Sequence, residues 1–204
     1  RPYYAEGSKT LGYEVAEQLE WRAPDCVVAP AASGLLFTRI QKGLDELSML
    51  GLIEPVNTHM YLNQAAGSSP IVNAFETGTL HVNPVEPNTI AKSIAIGNPA
   101  DGYYALSVVR QSGGGACAVT DDEAIAGMKL LAQTEGIFAE VAGGVVIAGL
   151  KRLAASGTIK KNELTVAFIT GAGPKTQETV SDIVQPFTIQ SSLESFEEIV
   201  GARV

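Results

Sequence analysis

Two short glycine-containing stretches of this 204-residue chain could contact a phosphorylated ligand. The first, "PAASGLL" (30–36), joins a strand-like run to a helix-like run, and the second, "ITGAGPKT" (169–176), places Thr170 at the end of another strand-like run. Backbone N–H groups at the start of a helix can bind an anion. A threonine hydroxyl can donate or accept a hydrogen bond. Equally, the small residues of 30–36 could serve only close helix packing, and Thr170 could cap a turn.

Neither stretch matches a nucleotide-binding motif. The first is neither GxGxxG nor GxxxxGK[ST]. The second superficially approaches GxxxxGK[ST], but Pro174 stands before the lysine and the spacing is wrong. We therefore exclude a nucleoside-triphosphate loop.

Two further segments contain polar residues at predicted helix ends. In "AIGNPADG" (95–102), Asn98 is predicted to cap the following helix. In "TEGIFAEVAGG" (134–144), Glu135 and Glu140 could act as acid and base, although carboxylates are common at helix ends. The two histidines have no recognisable nucleophile or metal-ligand context.

Composition excludes several functions. There are 14 Lys and Arg against 22 Asp and Glu, a net charge of −8, which argues against nucleic-acid binding. No apolar run is long enough for a membrane span, and no signal peptide is recognisable. Cys26 and Cys117 lie in apolar stretches without a CxxC spacing, so we expect buried free thiols and a reducing, cytoplasmic location.

These residues must be positioned by alternating strands and helices. We predict strands at 26–31, 58–64, 115–120 and 164–170, helices at 8–20, 34–50, 70–77, 99–111, 120–135 and 141–156, and a strand plus a helix in 186–204. The helix at 120–135 should open with a capping box from Thr120 to Glu123. The order predicts an α/β fold, a three-layer sandwich with a mainly parallel sheet and helices on both faces. Ligands of such sheets lie beyond the carboxyl ends of the strands.

Six segments in order resemble the threonine synthase family, within the fold-type II pyridoxal-phosphate enzymes. They are "YYAEGSKTLGYEVAEQL" (3–19), "VVAPAASG" (27–34), "NQAAGSSPIVNAF" (63–75), "NTIAKSIAIGNPADG" (88–102), "VTDDEAIAGMKLLAQTEGIFAEVAGG" (119–144) and "ITGAGPKTQE" (169–178). The resemblance covers nearly the whole chain. It implies that residues 1–204 are the carboxyl-terminal, cofactor-binding domain of a longer two-domain enzyme.

The resemblance also implies a cofactor, pyridoxal 5'-phosphate, and the residues that hold it. The cofactor phosphate would lie on the backbone amides of Ala32, Ser33, Gly34, Leu35 and Leu36, where the leucines depart from the family's asparagine and extra glycine. The hydroxyl of Thr170 would face the ring nitrogen, leaving it largely unprotonated. Pro174 replaces the usual leucine, and Arg1 would lie near the substrate phosphate. No catalytic residue is assigned within this chain.

The implied reaction converts O-phospho-L-homoserine and water to L-threonine and phosphate. The family's Schiff-base lysine belongs to an upstream motif, and Lys9 and Lys92 do not replace it, so the chain alone should be inactive. Its partners would be this small substrate and the missing N-terminal domain, and it could form a homodimer. Two alternatives stay open: a related threonine/serine dehydratase or cysteine synthase-like enzyme, and a non-catalytic domain that binds an anion or a partner protein.

Overall fold

A four-stranded parallel sheet forms the centre of the protein. The computed structural model describes residues 2–181 and 187–201. The strands are β1 (Cys26–Pro30), β2 (His59–Ala65), β3 (Gly115–Val119) and β4 (Thr165–Ala167), and they lie in the order β3-β2-β1-β4. Val28 of β1 pairs with Tyr61 on one side and with Ala167 on the other. Because all pairs are parallel, the carboxyl ends of the strands meet at one edge of the sheet.

Helices connect the strands. Within the described residues they are α1 (Pro2–Gly7), α2 (Thr10–Gln18), α3 (Leu35–Met49), α4 (Pro70–Glu76), α5 (Gly102–Gln111), α6 (Asp121–Glu135), α7 (Val141–Ala155) and α8 (Leu193–Gly201). Short 3₁₀ helices occupy Ala66–Ser68, Lys92–Ile94 and Gly173–Val180. No helix among the described residues is both long enough and apolar enough to cross a membrane.

Both faces of the sheet are covered by helices. On one face, Val27 of β1 belongs to a buried cluster with Phe37 of α3 and Leu106 of α5. On the other, Val28 packs in a cluster with Val146 of α7, and α6 lies against α7. All five residues of β1 are buried, as expected for a strand covered on both faces. The predicted three-layer α/β architecture is confirmed.

Most predicted elements are confirmed within a residue or two. The capping box of α6 is complete, because the Thr120 side chain accepts from the Glu123 amide and the Glu123 carboxylate accepts from the Thr120 amide. However, α5 begins at Gly102 rather than Pro99, and Asp101, not Asn98, occupies its N-cap position. The physical reason is that residues 99–101 form a turn, in which the Asp101 amide donates to the Ser33 carbonyl.

Three other expectations are wrong in part. β4 contains three residues instead of seven. No strand is present in 187–201, the described part of the tail that was predicted to contain one. Cys26 is buried, but Cys117 is only half-buried. It lies on β3, an edge strand, where its thiol contacts the Arg152 guanidinium at 3.3 Å.

Candidate functional site

A cleft lies where the segments following β1 and β4 meet, at the carboxyl edge of the sheet. Its volume is about 150 Å³. Among the described residues it is lined by Tyr4, Pro30, Ala31, Ala32, Ser33, Gly34, Leu36, Phe37, Ser93, Ile94, Glu140 and Thr170. Residues far apart in sequence thus converge where parallel α/β sheets bind their ligands.

The first wall is the loop between β1 and α3, residues 31–34, with the first turn of α3. Within the described chain, the amides of Ala32, Ser33 and Gly34 have no hydrogen-bond acceptor, and neither do those of Leu36 and Phe37. Helices leave their first amides unpaired, and these amides attract anions together with the helix dipole. This wall therefore offers several N–H donors to a phosphate.

The backbone conformation of Gly34 and the contacts with Asp101 fix the shape of this loop. Gly34 has φ of 92°, a left-handed conformation that favours glycine. The Ser33 carbonyl accepts from the Asp101 amide at 2.9 Å, which ties the loop to the start of α5. A Cβ atom at Gly34 would lie 2.9 Å from the Asp101 carbonyl oxygen. Glycine is required here by backbone conformation and by close packing.

The second wall is the segment that includes Ser93 and Ile94. Asp121, at the start of α6, binds the chain just before this segment. Its Oδ2 accepts from the Ile90 amide at 3.1 Å, and its Oδ1 accepts from the Thr89 hydroxyl. One carboxylate thus fixes the chain direction just before Ser93. This contact was not predicted, because Asp121 and residues 89–90 lie about 30 positions apart in sequence.

The third wall combines Thr170, which follows β4, with Glu140, which precedes α7. The amide of Glu140 donates to the carbonyl of Gly171 at 2.9 Å, and Ala139 forms an antiparallel bridge with Ala172. The two segments therefore lie side by side. Thr170 is exposed, whereas Glu140 is only 4% exposed.

The structure brings most of the predicted site residues together. Ala32, Ser33, Gly34, Leu36 and Thr170 all line the cleft. Leu35 does not line it; its side chain is buried, and its amide donates to Ser33 Oγ at 3.4 Å. Arg1 lies outside the described residues.

The two glutamates considered as an acid and base pair separate in the structure. Glu140 lines the cleft, whereas Glu135 is exposed at the end of α6 and is not part of the lining. Ser93 and Tyr4 are lining residues that the sequence analysis did not single out.

No lysine is among the described lining residues. Lys9 lies between α1 and α2 and pairs with Glu46 Oε2 at 2.8 Å. Lys92 donates to the Thr89 carbonyl at 2.7 Å. Across 2–181 and 187–201, no group of three or more His, Cys, Asp and Glu side chains could hold a metal ion.

The carboxylates with shifted pKa values lie outside the cleft lining. They form ion pairs and hydrogen bonds between neighbouring helices. Hydrogen bonds from Lys9 and then Tyr13 lower the pKa of Glu46 to about 2. The same contact with Glu46 raises the pKa of Lys9. Hydrogen bonds from Arg152 and Thr120 lower the pKa of Glu123 to about 2. The first group joins α2 to α3, and the second joins α6 to α7.

Comparison with known proteins gives one family and several named relatives. Residues 1–171 match the family described as "Pyridoxal-phosphate dependent enzyme". The threonine synthase of Methanosarcina acetivorans is 39% identical over 98% of this chain and 49% of its own length. That of Methanocaldococcus jannaschii is 42% identical over 85% of this chain and 43% of its own. The chain spans about half the length of these curated relatives.

Solved structures show the same fold. The processed threonine deaminase isoform 2 from Solanum lycopersicum superposes with a TM-score of 0.70 at 21% identity, covering 91% of this chain and 51% of that chain. A serine ammonia-lyase from Rhizomucor miehei superposes with a TM-score of 0.70 at 19% identity, covering 88% and 56%. At these identities the likeness establishes the fold alone.

Proposed function

Because the chain belongs to the pyridoxal-phosphate dependent enzyme family, we propose that it is the carboxyl-terminal, cofactor-binding domain of a threonine synthase. The whole enzyme would convert O-phospho-L-homoserine and water to L-threonine and phosphate. One observation carries the assignment: several curated relatives called threonine synthase are 35% to 42% identical to this chain over 85% to 98% of its length.

The residues of the cleft fit a phosphorylated cofactor. The five unpaired amides of the first wall can donate to phosphate oxygens, and the N-terminus of α3 adds its dipole. Leu36 does not weaken this fit, because its amide and not its side chain would bind the phosphate, and the Leu35 amide already donates to Ser33 Oγ. The two leucines that depart from the family pattern are thus compatible with cofactor binding.

When bound, pyridoxal phosphate would supply an electron sink for removal of a proton from the substrate carbon that carries the amino group. The residues of this chain would hold and orient it. The first wall binds the phosphate, and Ile94 of the second wall offers an apolar surface. Thr170 offers its hydroxyl to the ring nitrogen, as the family resemblance suggests. Ser93 of the second wall offers a second hydroxyl.

We further propose that the lysine which forms the covalent link to the cofactor comes from outside residues 1–204. In support, the described lining contains no lysine, and both Lys9 and Lys92 are engaged elsewhere. A lysine amine is needed to form the link and to move protons. The chain alone is therefore expected to bind cofactor without turnover.

Phosphate release from O-phosphohomoserine tests the proposal. A longer protein that joins this chain to the family's lysine-bearing region should release phosphate and form threonine, and the isolated chain should do neither. If the longer protein binds the cofactor but deaminates threonine or serine and releases no phosphate, it is a dehydratase. If it shows no aldimine absorbance with pyridoxal phosphate, the enzyme assignment is wrong. Turnover by the isolated chain would refute the placement of the lysine.

A further inference from the structure

Gln64, near the end of β2, is a polar side chain that is completely buried. Both atoms of its side-chain amide form hydrogen bonds. Oε1 accepts from the backbone amides of Ile71 and Val72 at 3.0 and 3.2 Å, and Nε2 donates to the carbonyl of Ala31 at 3.3 Å. Gln64 is not among the lining residues of the cleft. It therefore joins the start of α4 to the loop that forms the first wall.

The contact with Ala31 continues the pairing of β1 with β2 beyond the end of β1. The Ala31 amide donates to the Asn63 carbonyl at 2.9 Å, and the Ala31 carbonyl accepts from the Gln64 side chain. A glutamine side chain carries one acceptor and one N–H donor group, so it can bind the α4 amides and this carbonyl at once. Both polar backbone groups of Ala31 are thus bound to residues of β2.

The bond to the Ala31 carbonyl also sets the direction of the Ala32 amide. The peptide bond between these residues is trans, and in a planar trans peptide the N–H points opposite to the preceding C=O. The Ala32 N–H therefore points away from Gln64. It has no acceptor within the described residues, and Ala32 lines the cleft.

A second bond of the same kind sets the direction of the Gly34 amide. The Ser33 carbonyl accepts from the Asp101 amide at 2.9 Å, so the Gly34 N–H points away from the start of α5. Gly34 also lines the cleft, and its N–H also lacks an acceptor in the described chain. Two carbonyl contacts thus orient two free donors of one loop.

We propose that Gln64 is a positioning residue for the cofactor phosphate. Through the Ala31 carbonyl it directs the Ala32 N–H at a phosphate oxygen, as the Asp101 amide does for Gly34 through the Ser33 carbonyl. Donors that are oriented before binding reduce the cost of ordering the loop. The proposal rests on the cofactor of the proposed function and not on the reaction or its substrate.

The test follows the amide protons of Ala32 and Gly34 by NMR while pyridoxal phosphate is added to the chain. Both should move downfield in the unmodified protein, and pyridoxal, which lacks the phosphate, should move neither. Gln64→Met removes the donor and the acceptor at similar side-chain length. It should largely abolish the Ala32 shift, retain the Gly34 shift, and weaken pyridoxal phosphate binding about tenfold by calorimetry.

Two further variants separate this role from a general loss of structure. Gln64→Met also frees the amides of Ile71 and Val72 and should lower the urea midpoint of unfolding. In Gln64→Glu the ionised carboxylate still accepts from these amides but has no hydrogen to donate to Ala31. Exchange at Ile71 should therefore stay slow, and the amide after Ala31 should still lose its shift. Gln133→Glu makes the same charge change at an exposed site and should leave shifts and affinity unchanged.

Three results would overturn the proposal. The first is an Ala32 shift that survives in both Gln64 variants, and the second is an equal loss of the Ala32 and Gly34 shifts, which would assign Gln64 a general structural role. The third is the absence of any first-wall shift in the unmodified protein, which would also refute the proposed cofactor site. Because no turnover is measured, the assignment of the reaction is tested separately.

Discussion

Replacing Gly34 with alanine should lower the stability of the fold and disturb the first wall, where we propose that the cofactor phosphate binds. Gly34 has φ of 92°, and a non-glycine residue in left-handed conformation costs about 1–2 kcal/mol. An alanine Cβ would also lie 2.9 Å from the Asp101 carbonyl oxygen and 3.0 Å from Ala105 Cβ. Relieving such overpacking costs roughly 1–3 kcal/mol. The free energy of unfolding should therefore fall by about 2–5 kcal/mol in total.

Gly51 provides a matched control. It follows the other end of α3, has φ of 71°, and an added Cβ atom there would meet nothing within 4 Å. Gly51→Ala should thus lower the free energy of unfolding only through the left-handed backbone conformation, by about 1–2 kcal/mol. The difference between the two variants isolates the contact between the loop and α5.

Urea unfolding followed by circular dichroism measures both free energies, and calorimetry measures the affinity for pyridoxal phosphate. Gly34→Ala should weaken cofactor binding, because moving the loop away from α5 displaces the amides of the first wall. Gly51→Ala should bind the cofactor normally. Equal destabilisation in the two variants, or unchanged cofactor affinity in Gly34→Ala, would refute the reasoning.

Three further predictions concern the helix cap, the ion pair and the carboxylate contact that stabilise the elements around the cleft. Thr120→Ala removes the capping box of α6 and should lower the free energy of unfolding by about 1 kcal/mol, measured in urea; no change would contradict the cap's role. The pKa of Glu46 is lowered to about 2 in the folded protein, so its stabilising pairing with Lys9 is present above its ordinary pKa near 4.5 and is lost as the pH falls towards 2. Glu46→Gln should flatten the stability profile in that window, and parallel profiles would argue against the pairing. Asp121→Asn should accelerate amide hydrogen exchange at Ile90 while α6 stays protected, and unchanged exchange would show that other contacts hold the second wall.

Local chemistry was predictable from the sequence. The capping box of α6 depends only on Thr120 and Glu123, which are three positions apart. The continuous apolar residues of β1 predict a buried strand. The left-handed start of α3 at Gly34 also lies where small residues were noted. Each of these signals arises within one element, so no tertiary information was needed.

Features set by tertiary contacts were not predictable. The start of α5 depends on the hydrogen bond between Asp101 and Ser33, which are distant in sequence. The N-cap was therefore predicted at Asn98, whereas the structure has it at Asp101. Cys117 looked buried because its neighbours are apolar, yet the edge position of β3 leaves it half-buried. Glu140 could be recognised as distinct from other helix-end glutamates only once it was seen beside Gly171.

The pairing of β1 with β4 has a consequence for the order in which the cleft assembles. The contact between Asp25 and Leu164 at the start of this pair spans 139 positions, whereas β1 and β2 pair across a single helix. Closing so long a loop is entropically slow, and β4 contributes only three residues to the ladder. During synthesis, the first wall can form well before Thr170 emerges. If the cofactor phosphate binds the first wall as proposed, its binding can precede completion of the cleft at Thr170, and the cofactor would then take part in the last step of folding.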